Sequence, residues 1–267
     1  MSQTAACFIL VLVLAGTASM GRGASLHSRE SQSQRTLTPL QLEIEQLREC
    51  LSAADIEDRR DAVMRLGALR HPAASRAAIS ALRDPSPLVR ATAASAVLML
   101  PEDESAAILL PILADRDEFV RREVAYALGK TGSRSAVSSL VEVLNTDRED
   151  SVRGAAAVAL GELQDEAAVV PLAQILVPPR RARQTRNAFV LMAVARSLGQ
   201  IGSRAGVPSL IATLDNSSAS DEVRREAAIS LGLIGDPAAA PSLRQVVTSK
   251  DPYLAQAAVE ALKKLSL

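Results

Sequence analysis

One pattern of acidic, apolar and small residues returns along most of this 267-residue chain at nearly constant spacing. Its clearest copy is Asp115 to Gly132, DRDEFVRREVAYALGKTG, which contains a Val-Arg pair. Aligned on that Arg, successive copies lie 31, 31, 32, 38, 33 and 31 residues apart. Such a period with helical patterning predicts a solenoid, because each unit buries its apolar face only by stacking on its neighbours. The aligned positions are Arg59, Arg90, Arg121, Arg153, Leu191, Arg224 and Ala255.

Each unit is predicted to contain two helices, an A helix followed by a B helix. In the first A helix, apolar residues at Leu40, Ile44, Leu47 and Leu51 share one helix face. Similar segments open the later units, and a short polar turn leads from each to its B helix. The sequence therefore predicts an all-α fold of about seven antiparallel helix pairs within residues 39–267, without a β-sheet.

Each B helix carries local signals for its start, its packing face and its end. Ser86 before Pro87 provides a capping residue and a proline at the first helical position. Three, four and seven places after the aligned residue, small or aliphatic side chains such as Ala227 predict the buried face. Glycine follows directly in five units, where the missing Cβ would let the next helix approach, and a second glycine three residues later fits a C-cap. The two sets are Gly67, Gly129, Gly161, Gly199 and Gly232, and Gly132, Gly202 and Gly235.

Composition limits both the core and the partner. Apolar residues make up 48% of the chain but aromatic residues only 2%, so the core must be packed from Ala, Leu, Val and Ile. Thirty basic and thirty acidic side chains cancel, and we therefore expect no nucleic-acid partner. With only Cys7 and Cys50, the cysteines cannot form a disulfide framework or a zinc cluster. For Cys50, packing and a redox or pairing role both stay open.

The N-terminal residues resemble a targeting segment. Residues 1–21 carry no charge, and Ala5 to Ala15 is an apolar run with the length of a signal-peptide core. We expect residues 1–24 to be a signal peptide and the protein to be exported, periplasmic or secreted. Two alternatives remain: an uncleaved membrane anchor over residues 5–20, or translation starting at Met20. The polar residues 25–38 are predicted to form a flexible linker before the repeat domain.

The repeat itself resembles a known family. A unit of the form D-x-D/P-x-x-V-R-x-x-A-A-x-A-L-G-x-x-G is similar to the HEAT-like repeats of the phycobilisome-lyase type, over about residues 40–265. The resemblance implies an armadillo-type, right-handed α-α superhelix, with B helices on the concave side and a ladder of Asp and Arg columns between units. Leu191 and Ala255 depart from the pattern, which should interrupt the ladder in the fifth unit and end it in the last. The implied ladder residues are Asp84, Arg90, Asp115, Arg121, Asp147, Arg153 and Arg224.

Motifs for catalysis are missing from the sequence. His27 and His71 have no second His or Cys at metal-ligand spacing, and neither a phosphate-binding loop nor a G-x-S-x-G motif occurs. HEAT-like deoxyhypusine hydroxylases depend on His-Glu pairs, which this sequence lacks. We therefore assign no catalytic, cofactor-binding or metal-binding residue. Bilin lyases of similar architecture show no comparable motif, so the resemblance leaves a lyase-like enzyme or enzyme subunit open, although export disfavours it.

Two surfaces are candidates for binding a partner. Residues one and five places after the aligned position should face the concave side, where exposed apolar residues and Arg favour an interface; partial burial is the alternative. An insertion, VPPRRARQTRN, lengthens the fourth interval, and it is either a solvated loop or a docking site for an acidic partner. The Arg column could also bind an anion rather than form a ladder. The contact candidates are Arg60, Met64, Arg122, Tyr126, Val158, Arg196, Arg225 and Ile229, with Arg180, Arg181, Arg183 and Arg186 in the insertion.

The sequence thus predicts a non-catalytic scaffold or adaptor that binds a protein or peptide on the concave face of a solenoid. A lyase-like enzyme or enzyme subunit is one alternative. A structural component of an envelope assembly is another, and it differs from the scaffold only in how permanent the partner is.

Overall fold

The computed structural model of the protein describes residues 37–177 and 187–265. Over these two ranges the predicted all-α solenoid is confirmed, because fourteen α-helices form seven consecutive pairs and no strand occurs. The A helices are α1 (Pro39–Cys50), α3 (Pro72–Ala78), α5 (Glu102–Leu109), α7 (Val137–Thr146), α9 (Val169–Leu176), α11 (Val207–Asp215) and α13 (Ala240–Val246). The B helices are α2 (Ile56–Ala68), α4 (Pro87–Ala96), α6 (Glu118–Thr131), α8 (Asp150–Leu163), α10 (Ala188–Ile201), α12 (Asp221–Ile234) and α14 (Pro252–Leu265).

Short 3₁₀ segments adjoin the A helices from the second unit onward. They follow α3 and α5 at Ile79–Arg83 and Leu110–Ala114, and they precede the last four A helices. In those four, a Ser or Asp side chain accepts a hydrogen bond from the backbone N–H two residues later, as Asp165 does from Ala167 at 2.8 Å. This capping bond satisfies an amide that the tight first turn would otherwise leave without a partner.

The ends of the B helices follow local chemistry. The side chain of Asp117 caps α6 and that of Asn187 caps α10. Gly132, Gly202 and Gly235 end their helices in the left-handed conformation, with φ of 76°, 74° and 73°, as the second glycine column predicts. A side chain with a Cβ is strained at this φ, which explains why glycine occurs there.

The B helices pack against one another along a seam of very small residues. At Gly129, an added Cβ would lie 2.7 Å from the Cα of Ala159 on the next B helix, and at Gly232 it would lie 2.7 Å from the Cα of Ala261. Successive B helices contact each other far more extensively than successive A helices do. The first glycine column therefore serves close approach between helices, and the B row is the tightly packed side of the array.

The core consists of Leu, Val, Ala and Ile. Leu128, Leu160, Leu198 and Leu231, at the same place in four B helices, are completely buried. The predicted packing face is buried as well, with Ala227 and its equivalents inside the cluster. No described helix is both long enough and apolar enough to cross a membrane, within residues 37–177 and 187–265.

Replacing Ala227 by Asp should therefore strongly destabilise the protein. The side chain is completely buried between α12 and its neighbours, and an unpaired carboxylate there should lower the free energy of unfolding by about 3 kcal/mol or more. Ala212→Asp on α11, where the side chain is exposed, is the matched control and should change little. Chemical denaturation followed by circular dichroism measures both. Equal stabilities of the two variants would show that the packing face is assigned wrongly.

Candidate functional site

Three arginines on the B helices each bind an aspartate of the following unit. Arg59 pairs with Asp84, Arg90 with Asp115 and Arg121 with Asp147, in each case through Nε and Nη2 to the two carboxylate oxygens at 2.7–3.0 Å. The remaining nitrogen, Nη1, donates to carbonyl oxygens of the arginine's own A-to-B loop. One guanidinium thus fastens two successive loops, and bidentate geometry makes the pair specific.

The ladder aspartates also hold the start of their own B helices. One oxygen of Asp84, Asp115 and Asp147 accepts the backbone N–H two residues later, at 2.8–2.9 Å. Burial acts to raise the pKa of each aspartate, but the hydrogen bonds and charge of the arginine outweigh it, so each pKa lies below its ordinary value. At a pH above the pKa of the unfolded state, near 3.8, the pairing therefore contributes its full stability. This contribution is lost as the pH falls through the lowered pKa of the folded state.

Two arginines that the resemblance placed in the ladder bind differently. Nε of Arg153 donates to the carbonyl oxygen of Leu144, and Nε of Arg224 to that of Leu214, both at 2.9 Å. Each also binds a carboxylate of its own B helix, three residues earlier. The expected ladder is thus corrected at Arg224, and the described contacts of Arg153 are of the same kind, whereas Arg59, absent from the expectation, occupies the same arrangement as Arg90 and Arg121.

The contacts of Arg153 and Arg224 depend on the unit that follows each of them. After Arg153 comes the unit with the insertion, in which the described chain resumes at Asn187, whose side chain donates to Asp150 at 2.8 Å. After Arg224, the available aspartate, Asp251, is bound at 3.0 Å by the neighbouring Arg225 instead. The column position alone does not decide which arginine reaches the next loop.

The surface formed by the exposed side chains of the B helices, which we call the B surface, carries four of the predicted contact arginines. Arg60 binds Glu57 at 2.9 Å, and Arg122 binds Glu123 while lying 4.8 Å from the ring centroid of Phe119. Arg196 binds Glu226 through two hydrogen bonds of 2.9 and 3.0 Å. The fourth, Arg225, binds Asp251 and lies 5.0 Å from the ring centroid of Tyr253. All four charges are therefore balanced by carboxylates of the protein itself.

The apolar contact candidates are placed on the same surface. The exposed fractions of Met64 and Ile229 are 52% and 38%, and Tyr126 and Val158 are partly buried. Sequence reasoning missed three aromatic residues on the first turns of B helices: Phe119, Phe189 and Tyr253. Phe189 is 48% exposed and Tyr253 is 69% exposed. All three lie two places before the aligned position, which was the signal that could have identified them.

The other residues considered from the sequence have simpler settings. His71 caps α3 by accepting the N–H of Ala73 at 3.1 Å, and Cys50 is partly buried against the core. Arg180, Arg181, Arg183 and Arg186 lie outside the described residues, as does His27. Within the described ranges no group of three His, Cys, Asp or Glu side chains is arranged to hold a metal ion.

Repeated helix pairs joined by an Asp-Arg ladder define an α-solenoid. The HEAT repeat family matches residues 44–129, 106–189 and 181–263, and this protein therefore belongs to that family. No curated protein sequence gives a significant match.

Several solved structures share the fold. The YibA protein of Escherichia coli superposes with a TM-score of 0.59 at 19% identity, over 85% of this chain and 82% of that one. An engineered protein superposes with a TM-score of 0.52 at 21% identity, over 84% of this chain and 68% of that one. The complex of CpcE and CpcF of phycocyanin lyase from Nostoc sp. PCC7120 gives a TM-score of 0.50 at 24% identity, over 91% of this chain and 92% of that one. At these identities the similarity establishes the fold alone.

Replacing Arg121 by Ala should destabilise the protein without changing its affinity for a partner. Both side chains of the Arg121–Asp147 pair are 9% exposed, so the truncation leaves a carboxylate nearly buried and unpaired, at an expected cost of about 2 to 3 kcal/mol. Arg134→Ala is the control, because the Arg134–Asp165 pair is on the surface and should contribute less than about 1 kcal/mol. Denaturant titration measures the difference. Wild-type stability combined with lost partner binding would identify the arginine column as a binding site instead.

Proposed function

We propose that this protein is a non-catalytic scaffold that holds a protein or peptide partner on the B surface. The observation that carries the proposal is the placement of the aromatic residues. Phe119, Tyr126, Phe189 and Tyr253 are all the aromatic residues of the described ranges, every one lies on a B helix, and none is buried in the core.

This distribution is unusual in energetic terms. Full burial of a Phe side chain is worth about 1.5 to 3 kcal/mol, so aromatic residues normally contribute to the core. Here the core is packed by Ala and Leu, and the rings are collected on one surface together with Met64 and Ile229. Tyr, Phe and Met are enriched at protein interfaces, and HEAT repeats generally mediate protein interactions.

The charges of the B surface favour a partner whose contacting side chains are mainly apolar. Because Arg60, Arg122, Arg196 and Arg225 are already paired with carboxylates, an acidic ligand would have to displace those carboxylates first. Apolar contacts require no such exchange. Binding to this surface should accordingly depend only weakly on salt concentration.

Two further parts of the proposal concern regions outside the described residues. The uncharged apolar run at Ala5 to Ala15 supports export, and we place the protein in the periplasm or outside the cell. The arginines of the insertion support a second contact with an acidic part of the partner.

A pair of surface variants tests the role of the B surface. Ile229→Arg on α12 should reduce capture of a stoichiometric partner from the native source by about tenfold or more, because it places a charge in the apolar contact. Val170→Arg on α9 introduces the same side chain at an exposed aliphatic position of an A helix and should leave capture unchanged. Quantitative mass spectrometry of matched pull-downs provides the measurement. If Val170→Arg abolishes capture and Ile229→Arg does not, the partner binds the A helices.

Deleting residues 178–185 tests the insertion separately. Stacking depends on the helices, so the helical signal and thermal stability should stay close to wild type. Association with the captured partner should become slower at low ionic strength, and the difference should shrink as salt is added. Surface plasmon resonance at several salt concentrations measures the rates. If the deletion variant associates at the wild-type rate at low salt, the insertion is only a connecting loop and does not contact the partner.

A further inference from the structure

A groove of about 310 Å³ runs over α4 on the B surface. Met64 of α2 forms one wall, and Phe119, Glu123 and Tyr126 of α6 form most of the other. Thr92 and Ser95 of α4 form the floor between them. The groove therefore lies over α4 between the two neighbouring B helices, and the one carboxylate in its α6 wall, Glu123, is paired with Arg122.

Short side chains on α4 are the cause of the groove. Ala91 and Ser95 occupy the positions where the third unit carries Arg122 and Tyr126. The floor hydroxyls are already used as donors: Thr92 Oγ1 donates to the carbonyl oxygen of Leu88 at 2.8 Å, and Ser95 Oγ to that of Thr92 at 3.0 Å. The floor is thus small and uncharged, with no donor that a ligand must satisfy.

The charges at the rim are unequal at the two ends. Near Phe119, the guanidinium of Arg122 is engaged by Glu123 and by the ring. At the other end, Lys130 lines the groove, is exposed, and forms no salt bridge with any described residue, although its charge acts on Glu162. Phe119 and Lys130 are eleven residues apart on α6, which corresponds to about 16 Å of helix.

We propose that this groove binds an amphipathic α-helix of the protein partner, with aliphatic side chains over Thr92 and Ser95 and a carboxylate at Lys130. The inference rests on the proposed function and specifies its contact. Neighbouring packed helices are about 8 to 10 Å apart, so the walls on α2 and α6 leave room for one helix of about 10 Å diameter. The small floor allows close approach, and three turns of helix match the length of the groove.

A phage-displayed library of 15-residue helical peptides, selected on the full-length protein, provides the test. Enriched peptides should carry aliphatic residues at i, i+3 or i+4, and i+7, with Asp or Glu near one end. Fluorescence anisotropy of the synthetic peptides should show affinity weakened about tenfold or more by Ser95→Arg, which fills the floor. Lys130→Glu should weaken binding several-fold, and a peptide with Lys in place of its acid should restore it.

Matched controls separate the groove from the rest of the B surface. Ser138→Arg on α7 makes the same change at an exposed serine of an A helix and should leave peptide affinity unchanged. Thermal unfolding verifies that each variant is folded. The proposal that the groove binds a helix is wrong if the enriched peptides bind Ser95→Arg as tightly as wild type. It is also wrong if the enriched peptides show no helical apolar pattern. If Ile229→Arg abolishes binding of such peptides, the B surface is retained as the partner site and only the groove is excluded.

Discussion

The close approach of successive B helices is the constraint on which the rest of this structure depends. With the Cα of Ala159 only 2.7 Å from where a Cβ on Gly129 would be, the seam admits no larger side chain. A core formed this way is filled mainly by Ala, Val and Leu, and no described aromatic side chain is buried within it, although Phe119 and Tyr126 pack against it. Phe119, Phe189 and Tyr253 therefore remain on the outer side of the B row. The packing that stabilises the solenoid thus also leaves its aromatic residues available for contact.

Two kinds of ion pair supplement this seam. In the first half of the described chain, buried bidentate pairs such as Arg90–Asp115 join successive A-to-B loops. In the second half, Arg196–Glu226 and Arg225–Asp251 join successive units on the B surface, where Arg196 is largely exposed. Exposed pairs are screened by salt and buried pairs much less. The kind of ion pair that joins successive units thus differs between the two described parts of the chain.

Local features were predictable from the sequence, and choices between neighbouring units were not. Helix periodicity, caps such as Asp117 and terminators such as Gly132 depend on residues a few places apart, so the pattern contains them. Whether Arg224 or Arg225 binds Asp251 depends on the position of the next loop in space. For the same reason the aligned column included Arg224 in a ladder that it does not join. The aromatic positions were present in the sequence, but the contact surface was predicted from other places on the helix.

The groove over α4 lies at a departure from the repeat. Where five other B helices have a glycine that admits the next helix, the second unit has Leu98, and α4 already ends at Ala96. As the shortest of the seven described B helices, α4 contacts both α2 and α6 less extensively than α6 contacts α8. The short side chains at Thr92 and Ser95 leave the space between the neighbouring B helices unfilled. The shortest B helix of the described chain therefore combines less extensive stacking with an open groove on the B surface.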